Sequence, residues 1–157
     1  MKLQVWSIGK AHESYVAEGI EAFTRRISRY FPIEWKLFPT PKNAASLTEL
    51  QIKMSEAETL LPLLPQDATV VALDEKGTSW SSPDLAAFIQ KCADQGNKTL
   101  IFLIGGPYGL HDSILQRCHQ RWSLSRLVFP HQLVRLILAE QLYRACTINR
   151  NEKYHHS

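Results

Sequence analysis

Apolar and polar positions follow two rhythms along the chain, and the switches between them outline an alternating order of strands and helices. Lys2 to Ile8 reads as a strand that ends at Gly9. From Glu13 to Tyr30 the residues Tyr15, Val16, Ile20, Phe23 and Ile27 recur at helical spacing with polar residues between them. Pro32 closes that helix, and Ile33 to Phe38 forms a second strand. After the turn at Pro39 and Pro41, Ser46 stands three residues before Glu49, the spacing of a capping box. The helix it opens stops near Leu61, because Pro62 and Pro65 cannot continue it.

Thr69 to Asp74 is a short apolar run that fits a strand covered on both faces, and Lys76-Gly77 then turns the chain. Ser82 and Pro83 open a helix to about Gln95, which Gly96 and Asn97 end. Leu100 to Ile104 is another continuously apolar strand. Asp112 to Gln120 reads as a helix, Trp122 to Leu124 as a short strand, and Gln132 to about Cys146 as a long helix. The alternation predicts an α/β fold, a mainly parallel sheet with helices on both faces. The last helix carries Leu133, Val134, Leu136, Ile137, Leu138 and Leu142 nearly all round, so it is expected to be enclosed by protein.

A chain of 157 residues has room for one domain, spanning 1–157. Its net charge of +3 suits a nucleic-acid partner but supplies little non-specific phosphate binding. Cys92, Cys118 and Cys146 are odd in number and widely spaced, which argues against a disulfide framework and a zinc site and for a reducing compartment. No stretch reaches the roughly 18 apolar residues of a membrane span, and the opening apolar run is too short for a secretion signal. A soluble cytoplasmic protein with no membrane and no metal partner is expected.

In an open parallel sheet, ligands collect outside the carboxyl ends of the strands. Three loops there have unusual character: 73–77, 105–110 and 124–131. Gly105, Gly106 and Gly109 let main-chain groups approach a ligand closely, although the same glycines also serve a tight turn. Their spacing matches neither a Walker loop nor a dinucleotide turn, so phosphate binding is not what this loop advertises. The third loop is apolar apart from Ser125 and Arg126. It suits a flat uncharged ring held by main-chain hydrogen bonds, or equally a core-packing connection. Within the last helix, Glu140 precedes Arg144 by four residues, the favourable order for an ion pair. Arg135 has no such partner, and is expected to meet a carboxylate elsewhere or an anionic ligand such as RNA phosphate. His155 and His156 lack a carboxylate or cysteine that would complete a metal set, and a terminal tail is ordinarily frayed.

Taken in order, six strings are similar to the ribosomal RNA large subunit methyltransferase H family. They are Leu73-Asp74 with Gly77, Ile104-Gly105-Gly106-Pro107-Tyr108-Gly109-Leu110, Trp122-Ser123-Leu124-Ser125, Pro130-His131-Gln132-Leu133-Val134-Arg135, Glu140-Gln141-Leu142-Tyr143-Arg144-Ala145 and Tyr154-His155-His156. The resemblance runs along the whole chain. It implies a SPOUT-type fold with a trefoil knot in the C-terminal half, a homodimer, and S-adenosylmethionine as methyl donor. The implied reaction is N3-methylation of pseudouridine 1915 in helix 69 of 23S rRNA, in the large subunit or assembled ribosome. By position, the family's cofactor contacts fall on Leu73, Gly105, Leu124, Ser125, Arg126, Leu127, Val128 and Phe129, with Arg126 acting through its backbone.

The N3 imide is neutral until it loses a proton, so the reaction needs a base or a group that stabilises the anion. The resemblance points to Tyr154 and His155 as catalytic, with His131, Arg135 and Arg144 positioning RNA or stabilising charge. His155 is taken as the base and Tyr154 as holding the uracil edge, or the reverse. The tail is expected to close over a pocket shared across the dimer interface. Two other readings compete: a different nucleotide-using α/β enzyme, against which the missing P-loop weighs, and a non-catalytic ribosome-associated factor, against which the glycine loop and Tyr154-His155 weigh.

Overall fold

The computed structural model describes residues 1–156. In chain order the elements are β1 (Lys2–Ile8), α1 (Ser14–Ile27), β2 (Ile33–Phe38), a 3-10 turn at Ala44–Ser46, α2 (Glu49–Leu60), β3 (Thr69–Ser79), α3 (Ser82–Asp94), β4 (Thr99–Ile104), α4 (Asp112–Arg117), β5 (Gln120–Ser123) and α5 (His131–Asn149). The strands form one sheet in the order β2-β1-β4-β3-β5, with every neighbouring pair parallel. The apolar runs explain the arrangement, because a parallel strand is covered on both faces by its crossover helices. Leu3, Val5, Val71 and Phe102 pack on one face with Ile27 of α1, Leu85 and Ile89 of α3, and Leu138 and Leu142 of α5. Trp6, Val70, Ile101 and Leu103 pack on the other with Leu60 of α2 and Ile114 of α4. No helix among the described residues is long and apolar enough to cross a membrane.

Several boundaries differ from the sequence expectation, each for a local reason. Helix α1 stops at Ile27 rather than Tyr30, and Tyr30 instead donates its hydroxyl to Glu152 at 2.7 Å. The cap of α2 is Thr48, not Ser46. Thr48 and Gln51 form the reciprocal capping box at 2.9 and 3.2 Å, and Ser46 is drawn into the preceding 3-10 turn. Two overlapping cap spacings competed here, and the one nearer the helix won. Likewise α3 is capped by Ser81 with Asp84. Helix α4 ends at Arg117 rather than Gln120, because His119 is tied to β3. Its N–H reaches the Val70 carbonyl at 2.8 Å, and its Nδ1 accepts from the Val70 N–H at 3.0 Å.

The largest departure is in β3. The expected turn at Lys76-Gly77 is a bulged excursion inside a longer strand, since Leu73 and Thr78 both pair with Trp122. Gly77 permits it. A Cβ there would lie 2.5 Å from the Arg121 carbonyl oxygen, so only glycine lets the excursion lie down on β5. Helix α5 also differs from expectation. It buries the stripe Arg135, Leu138, Ala139, Leu142, Ala145 and Cys146, but leaves Leu133, Leu136 and Ile137 half-buried. Within one chain it is enclosed on one side only.

Candidate functional site

A cleft of about 600 Å³ opens where β3 and β4 end, between the 105–110 loop, the 124–129 loop and the start of α5. Leu73, Gly105, Leu124, Ser125, Leu127, Val128 and Phe129 all line it, together with His131 and Val134. Arg126 is exposed and is not part of the lining. The glycine loop has both of the characters its sequence allowed. Gly109 sits at φ +84° and donates its N–H to the Gly106 carbonyl at 3.0 Å, closing a tight turn. A Cβ on Gly105 would lie 2.9 Å from the Gly109 carbonyl carbon, so this turn can be no tighter with any larger residue. Across the cleft, Ser125 Oγ accepts from the Leu127 N–H at 3.0 Å. That turn leaves the Leu127 and Val128 side chains 70% and 76% exposed. Exposed aliphatic side chains in a cleft of this size are what an apolar ring would cover. Asp74, Glu75 and Asp112 line it together with Lys53, Lys76 and Arg121, so no single sign of charge dominates.

Glu56 of α2 was not singled out by the sequence reading. It is only 6% exposed, its Oε2 has no hydrogen-bond partner, and a Cβ on Gly106 would lie 2.7 Å from that oxygen. The carboxyl therefore lies against the glycine loop. The available signal was its place in the stripe Ile52, Glu56, Leu60, where an apolar residue is due. Burial pushes its pKa up from 4.5 to about 7. Below pH 4.5 the carboxyl is protonated in both folded and unfolded chains. Between 4.5 and 7 only the unfolded chain ionises, so stability falls as pH rises and levels off above 7. Glu56→Gln is accordingly expected to stabilise the protein by about 3 kcal/mol at pH 8 and to be nearly neutral at pH 4.5. Urea denaturation at both pH values measures this; equal effects at the two would show that Glu56 does not titrate on unfolding.

Tyr154 and His155 of the C-terminal tail are held against α5. Glu140 Oε1 accepts from the Tyr154 hydroxyl at 3.0 Å and from Arg144 Nε and Nη2 at 3.0 and 2.6 Å, so the expected ion pair is the centre of a larger cluster. Arg144 Nη1 lies 3.2 Å from His155 Nδ1, and its guanidinium carbon sits 4.8 Å from the centre of the Tyr154 ring. Tyr154 in turn packs edge-on against Tyr143, with ring centres 4.7 Å apart. An arginine can only donate, so His155 Nδ1 accepts and the ring proton resides on Nε2. Burial, and then donation to Glu140, raise the Tyr154 pKa and keep its hydroxyl protonated. In this arrangement the His155 Nδ1 lone pair is engaged by Arg144. The organising role of Glu140 was legible only as a helical ion pair.

Arg135 corrects another expectation. It is fully buried and meets neither a carboxylate nor solvent. Its Nε donates to Ser7 Oγ at 2.9 Å and its Nη1 to the Lys10 carbonyl at 2.8 Å, with His12 Nδ1 at 3.3 Å. Neutral acceptors hold it, Nη2 is left without a partner, and burial lowers its pKa. Arg135 thus ties α5 to the β1–α1 connection. His131 lines the cleft with its pKa lowered, by burial first and by Arg135 second.

The fold therefore forms two clusters and does not join them. Cleft and His131 lie at the start of α5, whereas Arg144, Tyr154 and His155 lie around its far half. Thirteen residues of helix separate His131 from Arg144, roughly 20 Å at 1.5 Å per residue. Among the described residues no group of three or more His, Cys, Asp or Glu could hold a metal ion.

The family model described as a predicted SPOUT methyltransferase matches residues 1–155. The ribosomal RNA large subunit methyltransferase H of Cytophaga hutchinsonii is 42% identical over 156 residues, covering 99% of this chain and 100% of its own. That of Geobacter metallireducens is 45% identical over 157 residues, covering 100% of both. A solved structure, a probable methylase family protein from Haemophilus influenzae Rd KW20, shares the fold at a TM-score of 0.52 and 15% identity, over 99% of this chain and 70% of that one.

Proposed function

The chain belongs to the SPOUT methyltransferases and, within them, to the ribosomal RNA large subunit methyltransferase H family, and from that premise we propose that it methylates N3 of pseudouridine in helix 69 of 23S rRNA with S-adenosylmethionine. The observation that carries the reading is the cleft itself: the 105–110 and 124–129 loops line one hollow that presents a glycine turn on one side and bare Leu127 and Val128 on the other. The residues present fit that cofactor. A flat adenine has apolar walls, glycine backbone lies within reach, and Asp74 and Glu75 are available to its cationic portion. We count Arg126 as a backbone contact only.

When bound, the cofactor supplies a methyl group on a sulfonium, a good leaving group. Leu127, Val128 and Phe129 shield the ring from water, and the loops fix the direction from which a nucleophile approaches. Tyr154 and His155 act on the pseudouridine. His155 Nε2–H is a donor for a uracil carbonyl, and the Tyr154 hydroxyl, its proton held by Glu140, offers its oxygen as an acceptor at the uracil edge. His155 Nδ1 receives the imide proton once Arg144 releases it, and the Arg144 charge then stabilises the anion. Arg135 serves by holding α5, and hence His131, in place.

Because the tail packs on Glu140 and Arg144, in the middle and far half of α5, while the cleft lies at its start, we infer a homodimer in which each tail serves the other chain's cleft. The half-buried Leu133 and Ile137 supply apolar surface for that contact. The trefoil knot belongs to the same reading. We place the protein in the cytoplasm, acting on the large subunit or the assembled ribosome. Incubation with unmethylated ribosomes and S-adenosylmethionine, followed by nucleoside mass spectrometry of the 23S rRNA, is expected to show one N3-methylated pseudouridine. Cofactor binding without any methylated nucleoside would refute the assignment.

A further inference from the structure

A second hollow, of about 420 Å³, lies on the far side of the β3 excursion. One wall is the excursion itself, Lys76, Gly77 and Thr78; the other is His119, Gln120 and Arg121 at the start of β5. We propose that this groove seats the phosphodiester backbone of the RNA whose base enters the neighbouring cleft, an inference that rests on the function proposed above.

Three observations support it. First, the groove holds cations without carboxylates. Asp74 and Glu75 of the same excursion line the cofactor cleft, while no carboxylate lines this hollow, which has Lys76 and Arg121 as its charged residues. Neither cation makes an ion pair within 4.0 Å among the described residues, so both charges are unspent. Second, the groove is dominated by donors. His119 is exposed, and because its Nδ1 accepts from the Val70 N–H at 3.0 Å its proton resides on Nε2, a donor on a ring fixed by the backbone. Thr78 adds an exposed hydroxyl. Cations and neutral donors with no competing carboxylate fit a phosphate oxygen and not a cationic or apolar ligand. Third, the two hollows are contiguous, sharing Lys76, Leu115 and Arg121. Gly77 packed on the Arg121 backbone fixes the wall between them. A strand lying in the groove would thus have a nucleotide beside the cleft mouth. With a net charge of only +3, a localised pair of free cations concentrates what little phosphate affinity the chain has.

Sedimentation with purified bacterial large ribosomal subunits, over a range of KCl concentrations, tests the proposal. Gln116→Glu with Gln120→Glu places two negative charges in the groove at exposed positions that do not line the cofactor cleft. This variant is expected to bind subunits about tenfold more weakly at physiological salt, with unchanged S-adenosylmethionine affinity by calorimetry. Lys76→Gln with Arg121→Gln is expected to lower the slope of log affinity against log salt by about one to two, as one or two phosphate contacts disappear. Wild-type affinity and slope in both variants overturn the inference. So does a loss confined to Lys76→Gln with Arg121→Gln that is matched by weaker cofactor binding, which would assign the pair to the cleft. Methyl transfer by the wild type is assayed in the same samples. Its absence alongside salt-dependent, groove-dependent binding sinks the proposed function and leaves the groove standing as an RNA seat.

Discussion

Tyr154→Phe combined with His155→Ala is expected to slow single-turnover methyl transfer to ribosomes by roughly 10²- to 10⁴-fold, the usual scale for losing positioned proton-transfer groups. The cofactor's affinity should stay within about twofold, because both residues are assigned to the pseudouridine and not to the cofactor. The size of the effect follows from the chemistry, since an uncharged imide attacks a sulfonium poorly until its proton has a place to go. Tyr154→Phe alone removes one donor and leaves the ring packed on Tyr143 and Arg144. His155→Ala alone removes the acceptor facing Arg144 and leaves that guanidinium on Glu140. Both single changes are therefore expected to be milder than the pair and to leave the fold intact. Rates equal to wild type in the double variant would show that the tail plays no part in the chemistry.

Mixing two inactive variants should restore activity. One carries the double tail substitution; the other carries Gly105→Val, whose Cβ falls where 2.9 Å separates it from the Gly109 carbonyl carbon, so its cleft cannot form. If each tail serves the partner's cleft, random exchange makes half of the dimers mixed. Each of those has one intact site, which gives about a quarter of wild-type sites overall. A tail that serves its own chain gives none, since no chain then carries both working parts. The roughly 20 Å of helix between His131 and Arg144 argues for the first outcome. Subunit exchange by co-expression, followed by methyl incorporation per dimer, decides it, and persistent inactivity of the mixture would return the tail to its own chain.

The contrast between what the sequence foretold and what it hid follows the range of the forces involved. Apolar runs at 69–73 and 100–104 required strands covered on both faces, and from that came the parallel sheet. Prolines and glycines located most breaks, and ordered motifs marked the cleft residues, because each of these signals lies within a few neighbouring positions. Where two local signals competed, as Ser46 and Thr48 did for the α2 cap, only the folded helix chose between them. The β3 excursion looked like a turn, since Gly77 is needed not for its own backbone angles but for the Arg121 backbone 44 positions further along the chain.

The site shows the same division more sharply. Composition and motifs determined which side chains could do chemistry, but not what each is bound to. Arg135 finds Ser7, 128 residues away, and so becomes a buried brace between α5 and β1. Tyr154 finds Glu140, His155 finds Arg144, and these contacts set which atoms hold protons. Glu56 meets Gly106 only because α2 crosses beneath that loop. Patterning and turn chemistry are encoded within a helical turn or a strand pair and can be read along the chain. Protonation, pairing and burial depend on desolvation by distant neighbours, and those are known only once the chain has folded.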